Sequence, residues 1–133
     1  MSEHFDPEDV DRLIPALTRV MEGAMRAHAE AGALTARLDE ERQRIGLAGG
    51  GVIDRAAWQA DTRRLAELTE TVRQALAEIA RLGGVTKDLT LGLVDFLHLR
   101  DGHEVNLCWK FGEDAVRHWH GLDEGYGNRR RLR

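Results

Sequence analysis

The segment from Leu107 to His120, LCWKFGEDAVRHWH, concentrates the side chains of this chain that are suited to chemistry. It contains the only cysteine, Cys108, together with two of the six histidines and two of the three tryptophans. Thiolate, carboxylate and imidazole groups are the ligands that proteins use for zinc and iron. The composition of this segment therefore predicts a site for a metal ion or a small ligand in the C-terminal third of the chain.

A β-hairpin is predicted immediately before and within this segment. Apolar and polar residues alternate from Leu93 to Leu99 and again from His103 to Trp109, and Asp101-Gly102 between them is typical of a type I′ turn. This turn places Asp95 opposite Cys108 and Leu93 opposite Lys110. Because successive side chains of a strand point to opposite faces, one face is apolar. Asp95, Cys108 and Lys110 share the other face.

A short C-terminal helix is expected after the hairpin. Gly112 ends the second strand, and Glu113-Asp114 place acidic side chains where the positive end of a helix favours them. Ala115, Val116, Trp119 and Leu122 would then form its apolar side. The N-terminus of such a helix is a ready site for anions, so the candidate site is predicted at this strand-to-helix junction.

Two chemical versions of the site follow from these residues. If a metal is bound, Asp95, Glu113 and His120 are the preferred ligands, with Cys108 as second choice and iron or zinc as the ion. If a small anion is bound, Lys110 and Arg129 supply positive charge, and Cys108 lies beside them.

Simpler roles also exist for these residues. A lone cysteine on a strand is often a small buried apolar side chain. Glu113 and Arg117 are spaced as a surface ion pair of a helix would be. Either role would leave no site at this position.

Two long helices are predicted in the first two thirds of the chain. Asp6-Pro7 and Asp54 are typical of helix starts, and Gly83-Gly84 is typical of a helix end. Apolar residues recur at steps of three and four in both segments, which is a weak heptad pattern of the coiled-coil type. The glycine triplet Gly49-Gly50-Gly51 connects them as a flexible turn. An antiparallel helical hairpin leaves apolar positions on its outer side, so a homodimer is expected.

The expected fold class is therefore α+β, in a single domain over residues 1–133. It consists of a long antiparallel helical hairpin (7–83), then a two-stranded antiparallel β-hairpin with a short C-terminal helix (90–122), and a basic tail (125–133).

Composition excludes several classes of protein. The chain of 133 residues carries a net charge of −4 with a pI near 5.9, which argues against a nucleic-acid or anionic-membrane surface. Nucleic-acid binding would rest on the arginine-rich tail alone. No apolar run approaches the roughly 20 residues that span a bilayer, and the N-terminus lacks the pattern of a secretory signal. A single cysteine suits a reducing compartment, so we expect a cytoplasmic location.

The C-terminal motifs also carry a resemblance. Lys87-Asp88, GLVDF at Gly92 to Phe96, LCWKFGE at Leu107 to Glu113, WH at Trp119-His120 and G-Y-x-x-R at Gly125 to Arg129 resemble a family of uncharacterised bacterial proteins, domain of unknown function 2203. Arg131 stands where such proteins more often have proline. The resemblance implies that this segment is the signature of the family, and it implies no activity.

The sequence predicts a cytoplasmic protein that binds a small ligand or a metal. This prediction includes an enzyme of unknown reaction. The alternative is a helical scaffold for self-association or partner binding, without catalytic activity.

Overall fold

A computed structural model of the chain describes residues 3–47 and 54–132, so the predicted glycine turn lies outside the described residues. Two helices are followed by five strands and one turn of 3-10 helix at Tyr126–Asn128. The elements are α1 (Pro7–Leu47), α2 (Arg55–Leu82), β1 (Val85–Asp88), β2 (Leu93–Arg100), β3 (His103–Lys110), β4 (His118–Gly121) and β5 (Arg130–Arg131). The strands form one antiparallel sheet in the order β1-β2-β3-β4-β5.

The ends of α2 are capped as its sequence predicts. The Asp54 side chain accepts a hydrogen bond of 3.0 Å from the backbone N–H of Ala57. At the other end Gly83 has φ of 105°, a left-handed conformation that residues with a Cβ rarely adopt. A Cβ at Gly83 would also lie 2.1 Å from the ring of Phe5. The end of α2 is thus fixed both by backbone conformation and by close packing.

The two helices form the expected antiparallel hairpin. Arg64 pairs with Glu30 at 2.8 Å, and Arg37 pairs with Asp61 at 2.8 Å. The residue of α1 that is later in the chain thus meets the residue of α2 that is earlier, as an antiparallel arrangement requires. These ion pairs are exposed and each contributes at most about 1 kcal/mol. Between the helices lies a small apolar cluster whose buried members are Ala27, Leu34 and Leu68.

The β2–β3 hairpin has the predicted register. Asp95 pairs with Cys108 and Leu93 with Lys110. Asp101 and Gly102 have φ of 52° and 80°, as both central residues of a type I′ turn require. The turn sequence therefore determines which side chains meet across the hairpin.

The main core lies between one face of the sheet and the helices. Phe96, Leu107 and Trp109 from the sheet pack there, and the Phe5 and Phe96 rings meet edge to face at 5.2 Å. Burying large apolar side chains of this kind is the main stabilising term of the fold. The buried members of this core are Phe5, Val10, Ile14, Leu17, Met21, Ile79, Val94, Phe96, Leu107, Trp109 and Val116.

The prediction of a two-stranded hairpin followed by a helix was wrong. The sheet has five strands, and His118–Gly121 forms β4 instead of the end of a helix. Leu107 pairs with Trp119, so β4 satisfies the backbone groups along the free edge of β3. An isolated helix of about ten residues is marginal in water. Trp119 packs against the main core from a strand, as the apolar pattern requires.

In the described part of the chain, neither helix contains an apolar stretch long enough to cross a membrane.

Candidate metal centre

Three potential metal ligands converge on the sheet face opposite the main core. They are Asp95 on β2, Cys108 on β3 and His120 on β4, and each is at most 3% exposed. Asp95 pairs with Cys108, while His120 pairs with Asn106, so all three belong to the same face. One ligand atom from each side chain lies within 4.8 Å of the other two. Strand pairing alone brings this cluster together.

The orientation of His120 is fixed by its backbone. Its Nδ1 lies 2.8 Å from the carbonyl oxygen of Gly121 and donates a hydrogen bond to it. Its Nε2 lies 3.1 Å from both carboxylate oxygens of Asp95. A histidine that binds a metal through one nitrogen commonly donates from the other to a carbonyl or carboxylate. His120 therefore has the arrangement of a ligand that binds through Nε2.

The carboxylate of Asp95 can accept more hydrogen bonds than it receives. Only its Oδ1 has hydrogen-bond geometry toward His120, and the buried Oδ2 has no hydrogen-bond partner in the described residues. A buried carboxylate oxygen without a hydrogen-bond partner is costly. Two zinc ligands at about 2.0–2.1 Å from the ion are about 3.3 Å apart in tetrahedral geometry. The observed separation of 3.1 Å is close to this value, so the carboxylate and the imidazole fit one metal ion.

Cys108 is a protonated thiol in the metal-free protein. Burial raises the pKa of this thiol to about 11, and the negative charge of Asp95 adds to the effect. The positive charge of the Arg129 guanidinium opposes both and lowers the pKa in part. A buried thiol of this kind is a poor nucleophile. A bound metal ion reverses the balance, because coordination deprotonates a thiol.

The structure places Glu113 outside this cluster. Its Oε1 accepts a hydrogen bond of 2.8 Å from the backbone N–H of Lys110, and its Oε2 lies 3.3 Å from Arg129. Glu113 thus holds the loop after β3 to the C-terminal segment. Arg117, its expected partner, pairs with Asp114 instead.

The two predicted cationic residues meet at Tyr126. The Arg129 guanidinium lies 4.6 Å from the centre of the Tyr126 ring, and Lys110 Nζ lies 5.6 Å from it. The charge of Arg129 acts on the site by lowering the pKa of the Cys108 thiol. The cluster itself lies on the sheet, not at a strand-to-helix junction, because the chain forms β4 where the helix was expected.

His118 is a neighbour that was not among the site residues predicted from the sequence. It pairs with Cys108 across β3 and β4, and its Nδ1 is buried without a hydrogen-bond partner in the described residues. Burial and the nearby charge of Arg129 lower the pKa of His118, while Glu113 raises it in part. This imidazole lies beside the three-residue cluster.

A cavity of about 240 Å³ adjoins the cluster. The sequence interpretation missed most of its wall, since these residues come from β1 and from the segment after β4. The lining residues are Lys87, Asp88, Leu93, Asp95, Cys108, His120, Glu124, Gly125 and Tyr126. The Lys87-Asp88 and G-Y motifs were visible in the sequence, although their spacing gave no reason to place them beside Asp95.

The structure thus defines an α+β protein with a helical hairpin, a five-stranded antiparallel sheet and a buried Asp-Cys-His cluster on the open face of that sheet. The sequence profile of an uncharacterized conserved protein family, DUF2203, matches residues 3–132, and the chain belongs to this family. No curated protein and no solved structure matches the chain.

Proposed function

We propose that this protein binds one divalent transition-metal ion, zinc by preference, through Asp95, Cys108 and His120. The observation that carries the proposal is the convergence of three buried ligand atoms of different chemistry within 4.8 Å. A thiolate with an imidazole and a carboxylate suits a borderline-soft ion, and zinc accepts all three ligands. Iron is the second choice. A site with a thiolate ligand is consistent with the reducing cytoplasm, where we place the protein.

The number of ligands supports a reactive centre more than a purely structural one. Structural zinc sites are closed by four protein ligands, whereas catalytic sites have three and keep a position for water or substrate. Here three protein ligands adjoin a cavity. A zinc ion in such a site polarises a bound oxygen or lowers the pKa of bound water.

The surrounding residues have defined tasks in this proposal. The carbonyl of Gly121 fixes the ring orientation of His120, so that Nε2 faces the ion. The positive charge of Arg129 lowers the pKa of Cys108 and so favours the thiolate form. Glu113 in turn fixes Arg129. Removing Arg129 should weaken metal binding without removing a ligand.

Elemental analysis tests the proposal. The protein, expressed with added zinc and purified without chelators, should contain about one equivalent of zinc. Asp95→Asn, Cys108→Ser and His120→Gln should each lower this content strongly. His103→Gln, which alters an exposed histidine of β3, is the matched control and should keep the metal.

The contrary result is equally clear. A trace metal content that is the same in the original protein and in the three ligand variants would overturn the proposal. Circular dichroism of each variant in the presence of a chelator separates loss of metal from loss of fold.

We also propose that the protein forms a homodimer through its helical hairpin. The supporting observation is a thin core, since Leu68 and Ile79 are the only buried residues among the 28 that α2 contains. Trp58 is half-buried and lines a groove on the hairpin. Sedimentation should show a dimer that Trp58→Asp dissociates. Leu65→Asp is a poorer test, because Leu65 packs within the hairpin itself. A monomer at micromolar concentration would contradict the proposal.

A further inference from the structure

We infer that the cavity beside the metal centre binds a small molecule with an anionic oxygen group, such as a carboxylate or a phosphate, and that Lys87 pairs with it. This inference rests on the proposed metal site, because the same anionic oxygen would occupy the position that the three protein ligands leave. Three independent features of the cavity support it.

The first feature is a β-bulge that presents Lys87. Thr86 pairs with Val94 and Asp88 pairs with Leu93, so Lys87 is an extra residue between two regular pairs. A bulge of this kind redirects a side chain and is frequent beside active sites. Lys87 lines the cavity from this bulge and is exposed. The regular pairing of β1 with β2 is thus interrupted at the residue that supplies a positive charge to the cavity wall.

The second feature is the balance of charge in the wall. The Glu124 carboxylate accepts from the backbone N–H of Gly121 at 2.7 Å and pairs with Arg130 at 2.8 Å. The Asp88 carboxylate accepts from two backbone N–H groups, each at 2.7 Å. Lys87 has no hydrogen bond or ion pair with the described residues. Lys87 is therefore the charged residue of the wall that has no partner among the described residues.

The third feature is the charge of the proposed centre. A divalent ion together with one carboxylate, one thiolate and the neutral imidazole of His120 forms a centre with no net charge. Such a centre still accepts an anionic oxygen as a further ligand, and a neighbouring ammonium group then compensates its charge. Without that ammonium group, the negative charge of an anion in the cavity would be only partly compensated by the metal centre. Lys87 is the wall residue that can provide it.

The size and surface of the cavity restrict the ligand. A volume of about 240 Å³ corresponds to roughly eight water molecules at ~30 Å³ each, which suits a small molecule. Leu93 and the Tyr126 ring supply apolar wall, so a short carbon chain on the anionic group is acceptable.

Cobalt-substituted protein provides the test, with phosphate and acetate as separate probes. Anion coordination should change the visible ligand-field bands of bound cobalt, and the change gives an affinity for each probe. Lys87→Gln should weaken this affinity roughly tenfold, as expected for one charge-assisted hydrogen bond, while the cobalt affinity stays the same. Arg63→Gln removes an exposed positive charge of α2 outside the cavity wall, so it is the matched control and should leave both affinities unchanged.

The outcomes separate the two proposals. If cobalt binds but neither probe alters its spectrum, the inference is wrong and the metal site stands. If a probe binds equally well to the original protein and to Lys87→Gln, the inference that Lys87 pairs with the anion is wrong. If no cobalt binds, the metal site fails and this inference fails with it. A response to phosphate alone or to acetate alone supports the inference and identifies the anionic group.

Discussion

The carboxylate of Asp95 and the imidazole of His120 lie 3.1 Å apart although their strands, β2 and β4, are separated by β3. Both side chains are 3% exposed. They meet above β3, where Cys108 contributes its thiol. Two ionisable groups buried in this way are stabilised by a shared proton or by a cation between them. The stability of the sheet should therefore depend on the same groups that are proposed to bind the metal.

Asp95 and His120 should be coupled in their contribution to stability. In metal-free protein, His120→Gln leaves a buried carboxylate without its partner and should lower the free energy of unfolding by about 3–5 kcal/mol. Asp95→Asn combined with His120→Gln should cost less than the sum of the two single changes. Urea unfolding of the four proteins measures this coupling. Strict additivity would show that the two groups do not interact.

The thiol of Cys108 should make the metal-free protein sensitive to alkaline pH. Burial raises the pKa of this thiol from about 9 to about 11. Between these values the unfolded chain has lost the thiol proton while the folded protein retains it, so the free energy of unfolding falls as pH rises. Cys108→Ala removes this contribution. Denaturant unfolding from pH 8 to 11 should show a shallower decline for Cys108→Ala, and parallel curves would contradict the burial argument.

Zinc should stabilise the folded protein in proportion to its affinity. At a free zinc concentration of about 100 times the dissociation constant, the gain is about 2.7 kcal/mol. Thermal unfolding with and without zinc measures it. Cys108→Ser should lose most of this gain, whereas the control His103→Gln should keep it. An equal rise in Tm for Cys108→Ser would mean that zinc binds elsewhere.

The turn that sets the β2–β3 register should affect stability but not metal affinity. Gly102 has φ of 80° and open space around its Cα, so a side chain there meets backbone strain alone. Gly102→Ala should lower the free energy of unfolding by about 1–2 kcal/mol. The zinc affinity of the folded protein should remain unchanged. A large loss of affinity would show that this turn moves Asp95 and Cys108 relative to one another.

Much of the scaffold follows from local sequence signals. Asp101-Gly102 and the alternation around it predict that Asp95 meets Cys108, because turn type and a period of two residues determine the register. Asp54 and Gly83 mark the ends of α2 for equally local reasons. Such features depend on residues a few positions apart, which a sequence displays directly.

The C-terminal third depends on contacts that no local pattern displays. Ala115, Val116, Trp119 and Leu122 have helical spacing, while His118 to His120 also suit a short strand. The free edge of β3 decides between them, since it offers hydrogen-bond partners for a strand. That choice turns His120 toward Asp95 and Cys108, which already face each other across β2 and β3, and it leaves Glu113 outside the cluster. The metal ligands preferred from the sequence therefore included only two of the three residues that the sheet brings together.

The most direct test of the proposed centre is a titration of the metal-free protein with cobalt(II), followed by absorption spectroscopy. Binding through Cys108 should produce a thiolate-to-cobalt charge-transfer band and intense visible bands of a four-coordinate ion, both saturating at about one equivalent. Cys108→Ser should lose the charge-transfer band, and His120→Gln should lose both sets of bands. Spectra that match cobalt free in buffer, or a charge-transfer band that persists in Cys108→Ser, would contradict a metal centre at Asp95, Cys108 and His120.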